Sequence, residues 1–533
     1  MSPDTALVPQ PTHDEFPEFV SIPVRIARNA AAWPDKQAVM CEDKARTWRD
    51  FDRRINRIAR TLAGMGIGRG DKIAILAANA SEYLETFMGG LRPGACVVPR
   101  STMAAADALE KMLDDCDAKV LFLSEQYRGL VEPYEDRLGK LIEGGRIAYD
   151  FRWAGWRDFE EWLERASDAP FEVPIDRLDD FNIIYSSGTT GLPKGILHSH
   201  VMRDMLAVRF TAFEYGPDTI SLASTPLYSN TTLVAVLATV GLGGTTILMP
   251  RSDVVRFLEI AQRERVTHAM LVPVQYQRIL AHPDFEKYDL GSFKAKLSTS
   301  APLRAHIKAD CLKRWPGHLV EIYGLTEGGA SCTLVADLNP DKLHTVGQPG
   351  LGSEIVVLDE HGKVLPQGEV GELAGRAQLM MKGYYKQPDK TRDLFWYDDK
   401  GRLFSKSGDM GKMDEDGFVV LLDRKKDMII SGGFNVYAAD IEVLMLKHPG
   451  VIDVAVIGIP SERWGESPMA LCVRRPGATI SEDEIRDWAN GQLSKTQRLV
   501  AVEFRSSLPR STIGKIMKRE LREPYWAGRT ARI

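Results

Sequence analysis

The sequence predicts an α/β protein with a large amino-terminal body built on parallel sheets, an antiparallel barrel-like piece at its end, and a small α+β domain beyond. Three observations carry this prediction. Short apolar runs bounded by Gly, Asp or Pro alternate with helically spaced segments in the first half of the chain. Glycines then crowd residues 345–423. After Asp427 the order becomes helix, strand, strand, helix.

Taken in order, Lys72–Leu76, Ala95–Pro99 and Lys119–Leu123 read as strands, and Ser81–Leu91 and Asp107–Leu113 carry helical spacing between them. This is the βαβ rhythm of a parallel sheet covered by helices. It recurs at Thr245–Met249 and His268–Val272. The apolar stretch Leu233–Met249 contains Thr239, Gly241, Gly243, Gly244, Thr245 and Thr246 and lacks flanking charge. A buried helix running into a buried strand fits it better than a membrane span. Between 345 and 423, Gly347, Gly350, Gly352, Gly362, Gly368, Gly371 and Gly375 punctuate short alternating strands, which predicts antiparallel pairing. In the last part, Ala439–Leu446 and Glu482–Gln492 read as helices, and Val451–Ile457 and Ala470–Val473 as strands. The polar run Arg424–Asp427 divides the chain into a body over 1–423 and a small domain over 428–533.

Bulk composition narrows the function. The chain has 533 residues, 44% hydrophobic and 26% charged, an ordinary globular balance with room for more than one domain. A net charge of -5 gives no basic field for nucleic acid. The six cysteines, at 41, 96, 116, 311, 332 and 472, form no CxxC pair, which argues against a zinc site or disulfide frame and suits reduced thiols. Met1–Glu15 fits no signal peptide and the terminal Ala-Arg-Ile is no peroxisomal address, so a cytoplasmic location without a membrane span is expected.

The most informative segment is 185–195, Tyr-Ser-Ser-Gly-Thr-Thr-Gly-Leu-Pro-Lys-Gly. Glycines let the backbone approach an anion, hydroxyls donate, and lysine adds a full charge, which together make a phosphate cradle. Phe181–Tyr185 reads as a strand leading into it. The Walker loop is excluded: only two residues separate Gly188 and Gly191, Lys194 is followed by Gly195, and Pro193 removes a backbone donor.

Further motifs follow in order: Tyr323-Gly324-Leu325-Thr326-Glu327, Ser407-Gly408-Asp409 with Asp414–Phe418, Asp423–Asn435, and Thr512-Ile513-Gly514-Lys515. With the 185–195 loop and Gly66–Pro99, these resemble the adenylate-forming enzymes: acyl- and aryl-CoA synthetases, firefly luciferase and peptide-synthetase adenylation domains. The likeness runs over nearly the whole chain. It implies two stacked α/β subdomains and a small β-barrel in the body, with a mobile carboxy-terminal domain. It also implies an ATP-dependent carboxylic acid:CoA ligase working through an acyl-adenylate, with ATP and Mg2+ as cofactors and CoA as co-substrate.

The resemblance assigns the residues as follows. Ser186, Ser187, Gly188, Thr189, Thr190, Gly191 and Lys194 would hold the β- and γ-phosphates. Glu327 would ligate magnesium, which prefers carboxylates plus phosphates. Thr326 would donate to the α-phosphate, Tyr323 would stack on adenine, Gly324, Ser300, Ala301 and Pro302 would help bind the nucleotide, and Asp409 with Arg424 would take the ribose. Lys515 would bridge the carboxylate and the α-phosphate, as a compact charge on a flexible stem. Lys426 is the expected hinge. Gly432, Gly433, Phe434, Trp464 and Arg498 would contact CoA. Tyr228, Ser229, Gln275, Thr299, Gly324, Ala330 and Ser331 would line the acyl pocket. No cation stands among those seven, which disfavours a dicarboxylate and favours an aryl, aryl-propenoyl or medium cyclic acid.

Several positions depart from the family pattern. Ser229 stands where CoA ligases usually carry histidine, Phe434 where Glu is common, Ala438 and Leu499 where proline is common, and Asp440 where Glu is common. These touch the CoA half rather than the phosphate chemistry. Two alternatives stay open: an adenylation enzyme loading a carrier-protein phosphopantetheine, and a long-chain fatty acid ligase. The expected partners are the acid, ATP and CoA, with a lysine acetyltransferase acting at Lys515, in a monomer or homodimer.

Overall fold

The computed structural model describes residues 18–186, 194–432, 434–511 and 514–527. Two large sheets form the body. One has eight strands among the described residues, in the order Gly383–Tyr384, Lys194–Ser199, Asp180–Ser186, Cys96–Pro99, Lys72–Leu76, Ala118–Leu123, Arg146–Ala148, Arg157–Asp158. From Asp180–Ser186 onward its pairings are parallel; the Lys194–Ser199 edge is antiparallel. The other has nine, running from Gln348–Pro349 through Ser331–Val335, His318–Gly324, Ala295–Ser298, His268–Leu271, Ile220–Ala223 and Thr245–Leu248 to Gln37–Cys41 and Lys44–Thr47. It is parallel in the middle and antiparallel at both ends.

Two helices explain how the sheets share one core. In Ser81–Leu91 all eleven residues are buried. In Asn230–Gly241 nearly all are. A helix apolar around its circumference must be enclosed on every side, and Tyr83, Leu84, Phe87, Leu233, Val236 and Leu237 belong to one cluster with residues of both sheets. The enclosed Glu85 takes Arg46 at 3.1 Å and Arg54 at 2.6 Å, since a buried carboxylate must be paired. The stretch read as a helix entering a strand does so: Asn230–Gly241 turns at 242–244 into Thr245–Leu248.

Ser353–Leu358, Gly371–Ala377, Phe395–Tyr397, Leu403–Met413 and Val419–Arg424 form a separate sheet, antiparallel in every pairing. After Arg424 a tight turn carries the chain away: Asp427 N–H and Met428 N–H both donate to the Arg424 carbonyl. Beyond it, Ile429–Ser431, Phe434–Val436, Val451–Ser461, Gly465–Arg474 and Ala501–Phe504 make a further sheet. Helices Ala438–Met445, Glu482–Asn490 and Lys518–Trp526 accompany it, and its apolar clusters are its own.

All six cysteines are buried and free. No helix among the described residues is long and apolar enough to cross a membrane.

Candidate active site

Strand ends converge where the large body meets the small domain. The strand His318–Gly324 delivers Tyr323 and then turns through Thr326 and Glu327. The turn is tight: Gly328 has φ +78°, and a Cβ there would lie 2.6 Å from the Leu379 carbonyl oxygen. Tyr323 Oη donates to Asp409 Oδ2 at 2.8 Å, and Arg424 Nε meets Asp409 Oδ1 at 2.6 Å. Asp409 and Arg424 face each other across an antiparallel pair, so the register of that sheet builds the contact. Burial and the Asp409 charge push the Tyr323 phenol well above its ordinary value.

Glu327 Oε1 accepts from Tyr384 Oη at 2.8 Å, and its carbonyl accepts from Met381 N–H. Lys194 Nζ lies 4.6 Å from the centroid of the Tyr384 ring. Lys194 opens the strand leaving the phosphate loop; Ser187, Gly188, Thr189, Thr190 and Gly191 lie outside the described residues, and Ser186 pairs with Lys194 where the loop closes.

Lys515, from the far end of the chain, joins this group. Burial pushes its ammonium down to about 8; Arg424 and Lys426 act in the same direction, while Asp409 and Glu327 oppose it. Its loop is held from both sides. Ser511 N–H donates to the Lys515 carbonyl, Lys515 N–H donates to Ser511 Oγ at 3.2 Å, and Arg510 links Gly514 O to Asp453. Gly514 has φ +74°, and a Cβ there would lie 2.7 Å from Val274 Cγ1 of the large body. Only glycine permits this approach.

Ser300, Ala301 and Pro302 form the loop after Ala295–Ser298. Ser300 adopts φ +79°, a left-handed conformation costly for a residue with a Cβ, and its hydroxyl bonds Thr231 Oγ1. Leu303 N–H donates to buried Glu321 Oε1 at 2.6 Å, which ties this loop to the strand carrying Tyr323.

The expected acyl and CoA residues divide differently. Tyr228 and Gln275 line a cavity of about 350 Å³ with Ala77, Asn79, Val272 and Gly514; Ser229, Thr299, Gly324, Ala330 and Ser331 do not line it. Gln275 is committed, donating to Ser224 Oγ and Ser252 Oγ and accepting from Val272 N–H. Thr299 Oγ1 donates to Ile322 O at 2.7 Å. Gly324 pairs with Ser331, and buried Ala330 packs beside Tyr323. The cavity wall also carries Arg251, Arg278 and Arg510, none of them among the seven expected positions; the sequence could not place the helix Pro273–Leu280 and the 249–252 segment together. Phe434 is 64% and Trp464 47% exposed, Arg498 is exposed, and Gly432 N–H donates to Trp464 O. Among the described residues no hydrogen bond or ion pair joins them to Lys515. Gly433 lies outside the described residues. Lys426 sits in the turn after Arg424, and burial lowers its pKa.

Sequence reasoning missed three residues at this site. Tyr384 holds Glu327. His198 Nε2 bonds the Thr326 carbonyl at 2.8 Å, and Arg203 stands behind His198 at 2.9 Å. The signal for His198 was its spacing: four residues from Lys194 on a strand puts both on one face.

Comparison with known proteins places this geometry. A model of AMP-binding enzymes matches residues 26–385, and one of the AMP-binding enzyme C-terminal domain matches 440–515. The chain belongs to the AMP-binding enzyme family. Among family members it is 33% identical to a feruloyl-CoA synthase of Amycolatopsis, over 95% of this chain and 98% of that one. It is 32% identical to the long-chain-fatty-acid–CoA ligase FadD13 of Mycobacterium tuberculosis, over 91% and 94%. Among solved family structures, ATP-bound MatB of Rhodopseudomonas palustris superposes with a TM-score of 0.85 at 30% identity, covering 95% of this chain and 99% of that one. The apo form of that AMP-binding enzyme superposes with 0.74 at the same identity and coverage.

Proposed function

We propose that this chain is an ATP-dependent carboxylic acid:CoA ligase, described here in the arrangement that makes the adenylate. The observation that carries this reading is the convergence of Lys515 on Asp409 and Glu327 from the opposite end of the chain. The higher likeness to the ATP-bound relative supports the arrangement.

In the first half-reaction a carboxylate oxygen attacks the α-phosphorus and pyrophosphate leaves. Lys194 and the loop before it receive the leaving phosphates. Asp409, held by Arg424 and Tyr323, accepts from the ribose hydroxyls, Tyr323 stacks on the adenine, and the 300–302 loop borders the nucleotide. Thr326 donates to the α-phosphate, and Lys515 balances the charge that grows there, a preorganised cation in a site partly closed to water. Among the described residues no group of three or more His, Cys, Asp or Glu could hold a metal. Glu327 suits magnesium, which takes one or two carboxylates beside substrate phosphates and neutralises their charge.

In the second half-reaction the CoA thiol attacks the acyl carbon, AMP leaves, and the thiol proton passes to solvent. Lys515 must withdraw for this, and Lys426 is the proposed pivot between a body over 1–423 and a small domain over 428–533. Gly432, Phe434, Trp464 and Arg498 would then face the thiol path. Acetylation of Lys515 by a lysine acetyltransferase would remove the charge the first step needs and leave the second intact.

The acid is proposed to be aryl, aryl-propenoyl or medium cyclic. The test is pyrophosphate release with ATP and magnesium across acetate, hexanoate, cyclohexanecarboxylate, benzoate, coumarate and palmitate, with and without CoA. Because Arg251 and Arg278 line the cavity, a dicarboxylate joins the panel. Sustained turnover that requires CoA and one acid class supports the reading; a single turnover indifferent to CoA favours loading of a carrier protein.

A further inference from the structure

Arg203 is fully buried, yet no carboxylate pairs with it among the described residues. Its guanidinium donates to three neutral acceptors: Nε to Asn182 Oδ1 at 2.9 Å, one terminal nitrogen to Asn230 Oδ1 at 2.8 Å, and the other to His198 Nδ1 at 2.9 Å. Burying a charge without a counter-charge is costly, and a purely structural arginine would gain more from an Asp or Glu. Each acceptor instead belongs to a different wall of the site. Asn182 lies on the strand that enters the phosphate loop, Asn230 opens the helix that follows Ser229, and His198 reaches the turn holding Thr326 and Glu327. The planar fork of a guanidinium fixes three such directions at once.

Arginine has donors only, so His198 Nδ1 must accept. The ring proton therefore sits on Nε2 and is donated to the Thr326 carbonyl. The same face of the same strand carries Lys194 over Tyr384, which in turn holds Glu327. Ile196 between them packs on Met381 and Tyr384. The strand thus reaches Thr326 directly through His198 and Glu327 indirectly through Tyr384.

We propose that His198 is a positioning residue for adenylate formation, acting through the Thr326 carbonyl, with Arg203 fixing its tautomer; this rests on the roles given above to Thr326 and Glu327. The two ring nitrogens can be separated by substitution. Glutamine carries its amide nitrogen as many bonds from Cα as imidazole Nε2, so His198→Gln keeps the donor to Thr326. Asparagine carries its oxygen where Nδ1 stands, so His198→Asn keeps the acceptor for Arg203 and loses the donor to Thr326.

Three measurements on the full-length enzyme decide it: acid-dependent ATP–pyrophosphate exchange, thermal unfolding, and magnesium-free binding of a non-hydrolysable acyl-sulfamoyl adenosine. His198→Gln is expected to keep exchange within about threefold of wild type, whereas His198→Asn loses roughly tenfold or more in kcat with KM for ATP little changed, because a small misplacement at the reacting centre is costly. Binding of the analogue should weaken in the same order, and the asparagine variant should melt no lower than the glutamine variant. Equal exchange in the two variants, or the reverse order, overturns the proposal, because satisfying Arg203 would then be the whole purpose of the ring. Absence of exchange in the wild type with every acid would instead overturn the functional reading itself.

Discussion

The small domain has two unlike faces. One carries Lys515 and is locked to the large body: Gly514 lies against Val274, Arg304 reaches Asp453 at 3.9 Å, and Lys518 stands 3.9 Å from Asp423. The other presents Phe434, Trp464, Ile430 and Val500 to solvent, each at least 46% exposed. A domain that needed only the first face would gain by making the second polar, since exposed apolar patches mark surfaces kept for contact. The contrast is what the proposed reading asks for: one face docked for the adenylate, the other left for the thiol step.

This comparison can be broken in several ways. The largest effect is expected for Lys515→Ala: pyrophosphate exchange falls roughly 10³-fold, as for loss of a preorganised charge, while thioester formation from pre-formed acyl-adenylate stays within about twofold. Equal loss in both assays would mean the two faces do not serve separate steps. Next, Lys426→Pro fixes φ at the proposed pivot and should slow transfer to CoA by about 10²-fold with exchange nearly intact, measured by single-turnover kinetics. Gly514→Ala places a methyl against Val274 at a positive φ, and roughly thirtyfold slower exchange is expected as the Lys515 loop is pushed back. Trp464→Ala and Phe434→Ala touch only the exposed face, so about tenfold slower transfer with unchanged exchange is expected, the cost of lost aromatic contact with CoA.

The smallest effect sharpens the comparison through pH. Burial lowers the Lys515 pKa to about 8, so its ammonium is lost as pH rises through that value. Exchange should then fall roughly fivefold between pH 8 and pH 9. Lys515→Arg, charged throughout this range, should remove that limb whatever its absolute rate. Transfer from pre-formed adenylate should show no such limb.

Much of this arrangement could be read from the chain alone. The strand Lys72–Leu76 and the helix Ser81–Leu91 have the bounds their periodicity predicts, Asp71 preceding the one and Pro93-Gly94 closing the turn after the other. The Asp409–Arg424 contact joins two quoted motifs, since one antiparallel register brings them opposite each other. What escaped depends on distant geometry. His198 meets a carbonyl 128 residues away, and no local pattern announces that a histidine will donate to backbone. The left-handed turn at Ser300 defies the expectation that glycine fills such positions, and only the packing of Thr231 against it explains how it is held. Two of the cavity arginines, Arg278 and Arg251, come from a helix and a loop that periodicity describes as separate surface elements.

The burial of all six cysteines has a chemical consequence. An acyl-adenylate is a mixed anhydride, and it acylates whatever thiolate it meets first. Here burial raises every cysteine above its ordinary value, Cys41 to about 11 and Cys311 and Cys472 to about 12. Even Cys332, opposite Tyr323 in the strand pair, is sealed in an apolar cluster. Enclosed and held in the thiol form, the enzyme's own sulfurs are poor acceptors for an activated acyl group, which suits an acceptor thiol arriving from outside.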